Sequence, residues 1–407
     1  SERDISWVNL RGSSEALALA RLIDLTPGRV LIVTADANQA HRLEQEVRYF
    51  AGENTEYHDD ITLFPDWETL PYDSFSPHQD IISERLEVLN QLALTDRGIL
   101  VIPATTLIQR MAPPAFVLGS SLVLEKFQKF DITQMRRKLQ GAAYRSVETV
   151  FEHGEYAVRG AIMDIFPMGS DVPYRIDLFD DEIDSLRTFD PETQRSIEQV
   201  DKIALLPARE FPLTNDAIRH FQNEWYLRFQ SEARDCPLYR DVSQGMAPAG
   251  VEYYLPLFFQ KMATLFDYLP DDTRIFCDDI EEQIDNYWTE AEARYDSLRY
   301  DIQRPILPPQ DIIVKKNDLF ARLKDYPRVD FREADNDSQL RFNYGHLPDL
   351  SVHERAQKPL TALEEFVEQN QHRLLIVAES NGRREVVDEL LTRHGIRATS
   401  IGRWQTF

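Results

Sequence analysis

Across 407 residues the chain has two cysteines, Cys236 and Cys277, no Gly-Lys dipeptide, and no His-Glu-X-X-His pattern among its nine histidines. Two cysteines build neither a disulfide framework nor a cysteine-rich zinc site. They suit a reducing cytosol, so a cytoplasmic location and no metal site are expected. No apolar run approaches the roughly 18 residues that a membrane-spanning helix takes. The opening Ser1-Glu2-Arg3-Asp4 has no signal-peptide pattern. Positive charge is also scarce, with 45 Lys and Arg against 69 Asp and Glu for a net charge of −24. Phosphate backbones and anionic membrane surfaces repel such a chain, so neither DNA nor a membrane is expected as its direct partner.

What is present is ordinary globular material, 43% hydrophobic and 28% charged, enough for several packed cores. In the first hundred residues helix and strand alternate. An Ala/Leu-rich helix from Ser13 to Ile23 precedes the unbroken apolar run Val30–Val33. A second helix carries Ala40, Leu43, Val47 and Phe50 on one face, and Ile99–Ile102 is another apolar run. Apolar runs between helices predict a parallel sheet buried on both faces. From Leu122 to Pro207 the chain reads as short strands with turn signals and one helix over about Thr133–Ala143. After Pro212 helical periodicity returns through Ile218, Phe221, Trp225 and Phe229. The strand Arg274–Cys277 ends in Asp278-Asp279, and a charged helix spans about Glu281–Arg299. Residues Ala334 to Lys358 read as a linker. A last piece is expected as helices Ala362–Glu368 and Arg384–His394 with strands Leu374–Val377 and Ile396–Ile401. The chain stops at Trp404-Gln405-Thr406-Phe407 with no ending signal, which predicts a piece of a longer protein.

A parallel sheet with an acidic pair after a strand invites a nucleotide-hydrolase reading. That chemistry needs a glycine-rich loop around the phosphates, a Lys on them and a Ser or Thr on Mg²⁺. The best-placed segment is Leu10-Arg11-Gly12-Ser13-Ser14-Glu15-Ala16, where Glu15 takes the Lys position and Ala16 the Ser/Thr position. A carboxylate there repels a triphosphate. Gly12, Ser13, Ser14, Glu15, Asp278 and Asp279 therefore read as a degenerate, inactive nucleotide site, with a plain helix start at Ser13 and a solvated helix cap at the aspartates. No catalytic residue is assigned.

In Pro173–Phe179, Tyr174, Ile176 and Leu178 alternate with Arg175, Asp177 and Phe179, so strand periodicity puts the two sets on opposite faces. With the aliphatic set inward, Phe179 is an exposed aromatic among charges, the composition that binding hot spots favour. Arg159, Arg175, Phe179, Asp181, Glu182 and Arg187 then form a mixed-charge patch, the ordinary alternative being a solvated face with cross-strand ion pairs. Ile183 and Leu186 have opposite parity, so a turn or bulge must lie between them. Trp67, Tyr72 and Phe75 read as packing for a proline-rich loop rather than a base-stacking platform. Arg136-Arg137-Lys138 reads as the exposed side of a helix.

Three motifs carry a resemblance: Trp67-Glu68-Thr69-Leu70-Pro71-Tyr72-Asp73-Ser74-Phe75-Ser76-Pro77, Arg159–Pro167 and Phe179–Arg187. They resemble the N-terminal part of the Mfd family of bacterial transcription-repair coupling factors, over about residues 5–401. That part is similar in turn to the nucleotide-excision-repair protein UvrB, whose intact phosphate loop and long DNA-clamping hairpin are missing or short here. The resemblance implies an α/β multidomain architecture. A discontinuous, degenerate RecA-like or UvrB-like domain (1–115 and 209–345) would hold an inserted, mainly antiparallel β-sheet domain (116–208), with a small α/β domain at 346–407. It implies UvrA as the partner of the inserted domain, at Arg159, Arg175, Phe179, Asp181, Glu182 and Arg187. RNA polymerase, DNA, ATP and Mg²⁺ would belong to regions outside this chain, and an intramolecular contact with a C-terminal domain would mask the patch. The alternative it leaves is an ATP-dependent UvrB-like repair helicase with a divergent nucleotide site.

Overall fold

The structure is a computed structural model that describes residues 4–8, 10, 12–23, 28–52, 60–229, 236–332, 340–341, 348–352, 359–369, 373–378 and 380–407. Fifteen strands are described: β1 (Asp4–Val8), β2 (Arg29–Thr34), β3 (Ile61–Leu63), β4 (Gly98–Pro103), β5 (Leu122–Glu125), β6 (Arg145–Ser146), β7 (Glu155–Arg159), β8 (Ile162–Phe166), β9 (Tyr174–Phe179), β10 (Glu182–Phe189), β11 (Ser196–Val200), β12 (Lys202–Leu205), β13 (Arg274–Cys277), β14 (Arg328–Arg332) and β15 (Leu340–Arg341). Seven of them form one sheet in the order β15-β1-β14-β13-β2-β4-β3, and every pairing in it is parallel.

The apolar runs explain this sheet. All six residues of β2 are buried, and its alternate side chains serve two cores. Val30 and Ile32 pack with Ile99 and Val101 against helix α1 (Ser14–Ile23) and helix α2 (Ala37–Ala51). Leu31 and Val33 pack with Leu100 and Ile102 against helix α3 (Gln79–Leu94) and a large cluster that includes Phe221 and Trp225 of the helix Asn215–Phe229. Covering helices on both faces are what an all-parallel sheet requires.

The middle segment forms a second layer system. A mixed sheet in the order β11-β10-β9-β8-β7-β6 is antiparallel except for the β6–β7 pair. β5 and β12 pair antiparallel beside it, and the helix Ile132–Gly141 buries Met135 and Leu139. This core also takes in Ile82 and Leu86 of α3, so one helix serves two modules. A buried polar clamp fixes the join: Arg85 Nε donates to Glu210 Oε1 at 2.7 Å and Trp67 Nε1 donates to the same oxygen at 3.0 Å. The Arg85 guanidinium also lies over the rings of Phe64 and Trp67. Trp67 and Tyr72 are thus buried packing groups and Phe75 is exposed. Arg136, Arg137 and Lys138 lie on an exposed helix face.

Two expectations change. The strands expected at Leu374–Val377 and Ile396–Ile401 have no ladder among the described residues, because a strand forms only where a neighbour supplies hydrogen-bond partners. The helices there are Thr361–Gln369 and Asn381–Arg393, and Trp404 meets Phe50 of α2 with ring centroids 5.0 Å apart. Most of the expected linker, Ala334–Lys358, lies outside the described residues. No described helix is long and apolar enough to cross a membrane.

Candidate functional site

Two places hold the residues singled out from the sequence. The first is the side of the six-stranded sheet turned away from its main core, open at the hairpin end and partly covered by a small cluster of Val150, Ala157, Phe166 and Phe189. Its register aligns Ala157, Asp164, Arg175, Arg187 and Gln199 in one row across β7 to β11, and Arg159, Ile162, Asp177 and Ser185 in the next. Phe179 and Glu182 close the hairpin as a pair, around Asp180 at φ 60°. Alternation therefore works as the sequence predicts: Ile176 is buried while Phe179 is 79% exposed. The bulge is also present, with the β9–β10 register shifting between Ile183 and Ser185 so that Ile183 and Leu186 both turn inward.

Asp164 organises this face. Its side chain is 2% exposed, yet it takes two bonds from Arg175, Nε at 2.7 Å and Nη2 at 3.0 Å, and one from Arg159 Nη2 at 3.1 Å. The fork on Asp164 is the main reason that the Arg175 proton is held more tightly than usual. Arg175 also lies 4.9 Å from the Phe189 ring centroid and donates to Gln194 O. Arg187 Nη2 reaches Asp177 at 3.5 Å, and Ser185 Oγ donates to Asp177 at 2.9 Å. Three arginines thus face two aspartates, while Asp180, Asp181, Glu182 and Asp184 are exposed at the hairpin end. Asp181 pairs with Lys129 at 3.3 Å. The sequence reading missed Asp164, although a lone carboxylate in the apolar stretch Ile162–Phe166 is the signal that could have found it.

The second place is an open cavity of about 1090 Å³ at the C-terminal ends of β1, β2, β13 and β14, lined by Trp7, Glu15, Gln39, Asp278, Asp279 and Lys316 among others. In parallel sheets this is where ligands sit, at the point where the strand order reverses. Gly12 (φ 55°) and the exposed Ser13 lead into α1 at Ser14. Glu15 stands in the first turn of α1 and lines the cavity. Burial, and then the nearby Asp278, push its carboxyl up to about 7. Asp278 is pushed up to about 6 by burial, with the Ala35 amide and Gln39 opposing the shift. Glu15 Oε1 and Asp278 Oδ2 are buried without a hydrogen-bond partner. Asp278 is therefore not the solvated helix cap the sequence suggested. The cap of the helix Glu281–Leu298 is Ile280, and β13 delivers Asp278 into the cavity instead, its N–H bonded to Val33 O at 3.0 Å. Asp279 is exposed and accepts from the Glu281 N–H at 3.4 Å. Two half-buried carboxyls thus share the cavity lining with Lys316, Lys324 and Arg328. Among the described residues no group of three or more His, Cys, Asp and Glu is placed to hold a metal ion.

Comparison with known proteins fits this layout. The UvrB interaction domain family matches residues 122–211, the segment that carries the arginine face. The MFD, D3 domain family matches residues 366–407. The sheet set into the α/β frame thus corresponds to a UvrB interaction domain. More narrowly, the chain belongs to the transcription-repair-coupling factor family and corresponds to its N-terminal, UvrB-like region. The Transcription-repair-coupling factor of Escherichia coli (strain K12) is 41% identical over 399 residues, covering 97% of this chain and 34% of that relative. The one from Haemophilus influenzae is 40% identical over 390 residues, 94% of this chain and 33% of the relative. That of Bacillus subtilis (strain 168) is 27% identical over 286 residues. The chain thus spans about a third of the length of the first relatives.

Proposed function

We propose that this chain is a recruiting module of transcription-coupled nucleotide excision repair, which binds UvrA through the outer face of its six-stranded sheet and performs no chemistry itself. The observation that carries this reading is Phe179: a 79% exposed aromatic at the end of the sheet face that also carries Arg159, Arg175 and Arg187, on the segment that the UvrB interaction domain family matches. An exposed ring flanked by carboxylates, at the end of a sheet face that carries arginines, has the composition of a protein-binding centre. Under this reading Asp181 and Glu182 at the hairpin end meet cationic groups of UvrA, and complementary charge speeds encounter. RNA polymerase and DNA, with ATP and Mg²⁺, are then the business of regions outside these residues, and the setting is the cytoplasm. A domain from those regions that covers the same face would make the module autoinhibited.

Nucleotide hydrolysis in this chain is the competing reading, favoured by the position of the cavity at the strand ends. The carboxyls of Glu15 and Asp278 speak against it, because both disfavour a polyphosphate. Two titrations decide. Calorimetry with UvrA and the Phe179→Ala chain is expected to show binding weakened about tenfold or more; wild-type affinity would remove the patch. Calorimetry with MgATP is expected to show no binding, and micromolar affinity would restore the hydrolase reading. Weaker UvrA binding by a full-length relative than by this segment is the expected mark of masking, and equal affinities would exclude it.

A further inference from the structure

A second exposed aromatic stands next to the hairpin end, in a backbone conformation that glycine ordinarily supplies. Gln128 N–H donates to Glu125 O at 3.2 Å, so Glu125–Gln128 is a tight turn with Phe127 third in it. Phe127 has φ 69°, and a positive φ at that position calls for glycine. The turn then joins the start of β10, on the side that β11 occupies only from Leu186 onward. Phe127 N–H donates to Ile183 O at 2.9 Å, Ile183 N–H donates to Gln128 O at 3.0 Å, and Lys129 pairs with Glu182. Two residues oppose one, which is a β-bulge of the kind whose first residue is left-handed and normally glycine.

Phenylalanine there holds the left-handed strain of a residue with a Cβ, and its ring is not used to fill a core. It is 66% exposed, with Lys126 Nζ 4.9 Å from its centroid. Strain of this kind persists where it serves a function. The register also says where the residue stands. Ile183 lies between Phe127 on one side and Leu178 of β9 on the other. Two strand spacings, about 10 Å, therefore separate the Phe127 backbone from that of β9 near Phe179. The exposed acids Asp181 and Glu182 lie between, with Lys129 bonded to Asp181.

We infer that Phe127 is a second aromatic anchor for the partner that engages Phe179. Phe127 and Phe179 stand on opposite sides of β10 at the acidic hairpin end, so the partner surface offers an apolar pocket to each ring and cationic groups to the carboxylates there. This rests on the reading of the sheet face as the UvrA-binding surface, with which the turn is continuous through its hydrogen bonds to β10.

The position makes a clean test possible, because the substitution that removes the ring also relieves the backbone. Phe127→Gly in the whole 407-residue chain is expected to weaken UvrA binding about tenfold with an unchanged or higher melting temperature, while Phe127→Tyr keeps the binding. Wild-type affinity in Phe127→Gly would overturn the inference, and so would a clearly lowered melting temperature, which would assign the ring to the fold. Phe179→Ala run in parallel separates the two failures. If Phe179→Ala loses binding and Phe127→Gly does not, only the second anchor falls; if both bind like wild type, the UvrA-binding surface falls with it.

Discussion

Replacing Glu15 by Gln should stabilise the protein increasingly as pH rises above about 4.5, and in full only at neutral and higher pH. The carboxyl is half-buried on the cavity wall, faces Asp278, and has an oxygen with no hydrogen-bond partner. Its folded-state value of about 7 stands above the ordinary 4.5. The folded state therefore binds the proton more tightly than the unfolded chain, and stability falls as pH rises through that window. Below about pH 4.5 the group is neutral in both states and there is no penalty; above about pH 7 the penalty is complete. At 1.36 kcal/mol per unit the full shift is worth about 3 kcal/mol. Solvent reaching the open cavity reduces this, so about 2 kcal/mol is the working figure. Gln preserves the shape and never ionises. Thermal melts of wild type and Glu15→Gln at pH 8 should then differ by roughly 5 °C, taking about 2–4 °C per kcal/mol for a domain of this size, and should converge at pH 4.5. An equal gain at both pH values, or a loss at pH 8, would refute the burial-and-repulsion account. Asp278→Asn should act in the same direction, and the double variant should gain less than the two singles together, since neutralising either carboxyl relieves the other.

Three other outcomes follow from contacts already described. Arg175→Ala leaves Asp164 buried with Arg159 as its remaining arginine and should destabilise the sheet by about 2–4 kcal/mol in chemical denaturation; a change below about 0.5 kcal/mol would show that the fork contributes nothing. Glu210→Ala strips the buried Arg85 and Trp67 Nε1 of their shared acceptor and should cost about 3–5 kcal/mol, read by the same assay. Phe179→Ala should leave stability within about 0.5 kcal/mol of wild type while UvrA affinity falls in calorimetry.

The parallel sheet was legible because its strands are buried on both sides and so lack polar interruptions. Val30–Val33, Ile99–Ile102 and Ile275–Cys277 announce themselves. The arginine face was legible for the opposite reason: one side is wet, so Arg175, Asp177 and Phe179 alternate with Tyr174, Ile176 and Leu178. Even the bulge at Asp184 followed from parity. What failed depended on partners distant in sequence. Asp278 reads as a cap until α1 brings Glu15 to the same cavity. Leu374–Val377 reads as a strand, but no ladder forms there among the described residues, and Val377 is 78% exposed. Phe127 gave no turn signal at all, because the residue that would have announced that turn is glycine.

The patch residues therefore divide into two kinds, and the division governs how a binding defect is to be read. The Phe179 side chain is 79% exposed, and its part in the hairpin is a backbone pairing with Glu182 that alanine keeps. Arg175, 19% exposed, grips Asp164 and lies over Phe189. Loss of UvrA binding in Arg175→Ala is thus open to two causes, a lost contact or a disturbed sheet, whereas the same loss in Phe179→Ala has one. Arg175→Lys separates them, since it keeps the charge but not the planar fork. A variant that melts like wild type and still fails to bind requires the guanidinium itself at the interface. A variant that melts lower and binds in proportion to its folded fraction assigns Arg175 to holding the sheet, and leaves recognition to Phe179 and the more exposed Arg159 and Arg187.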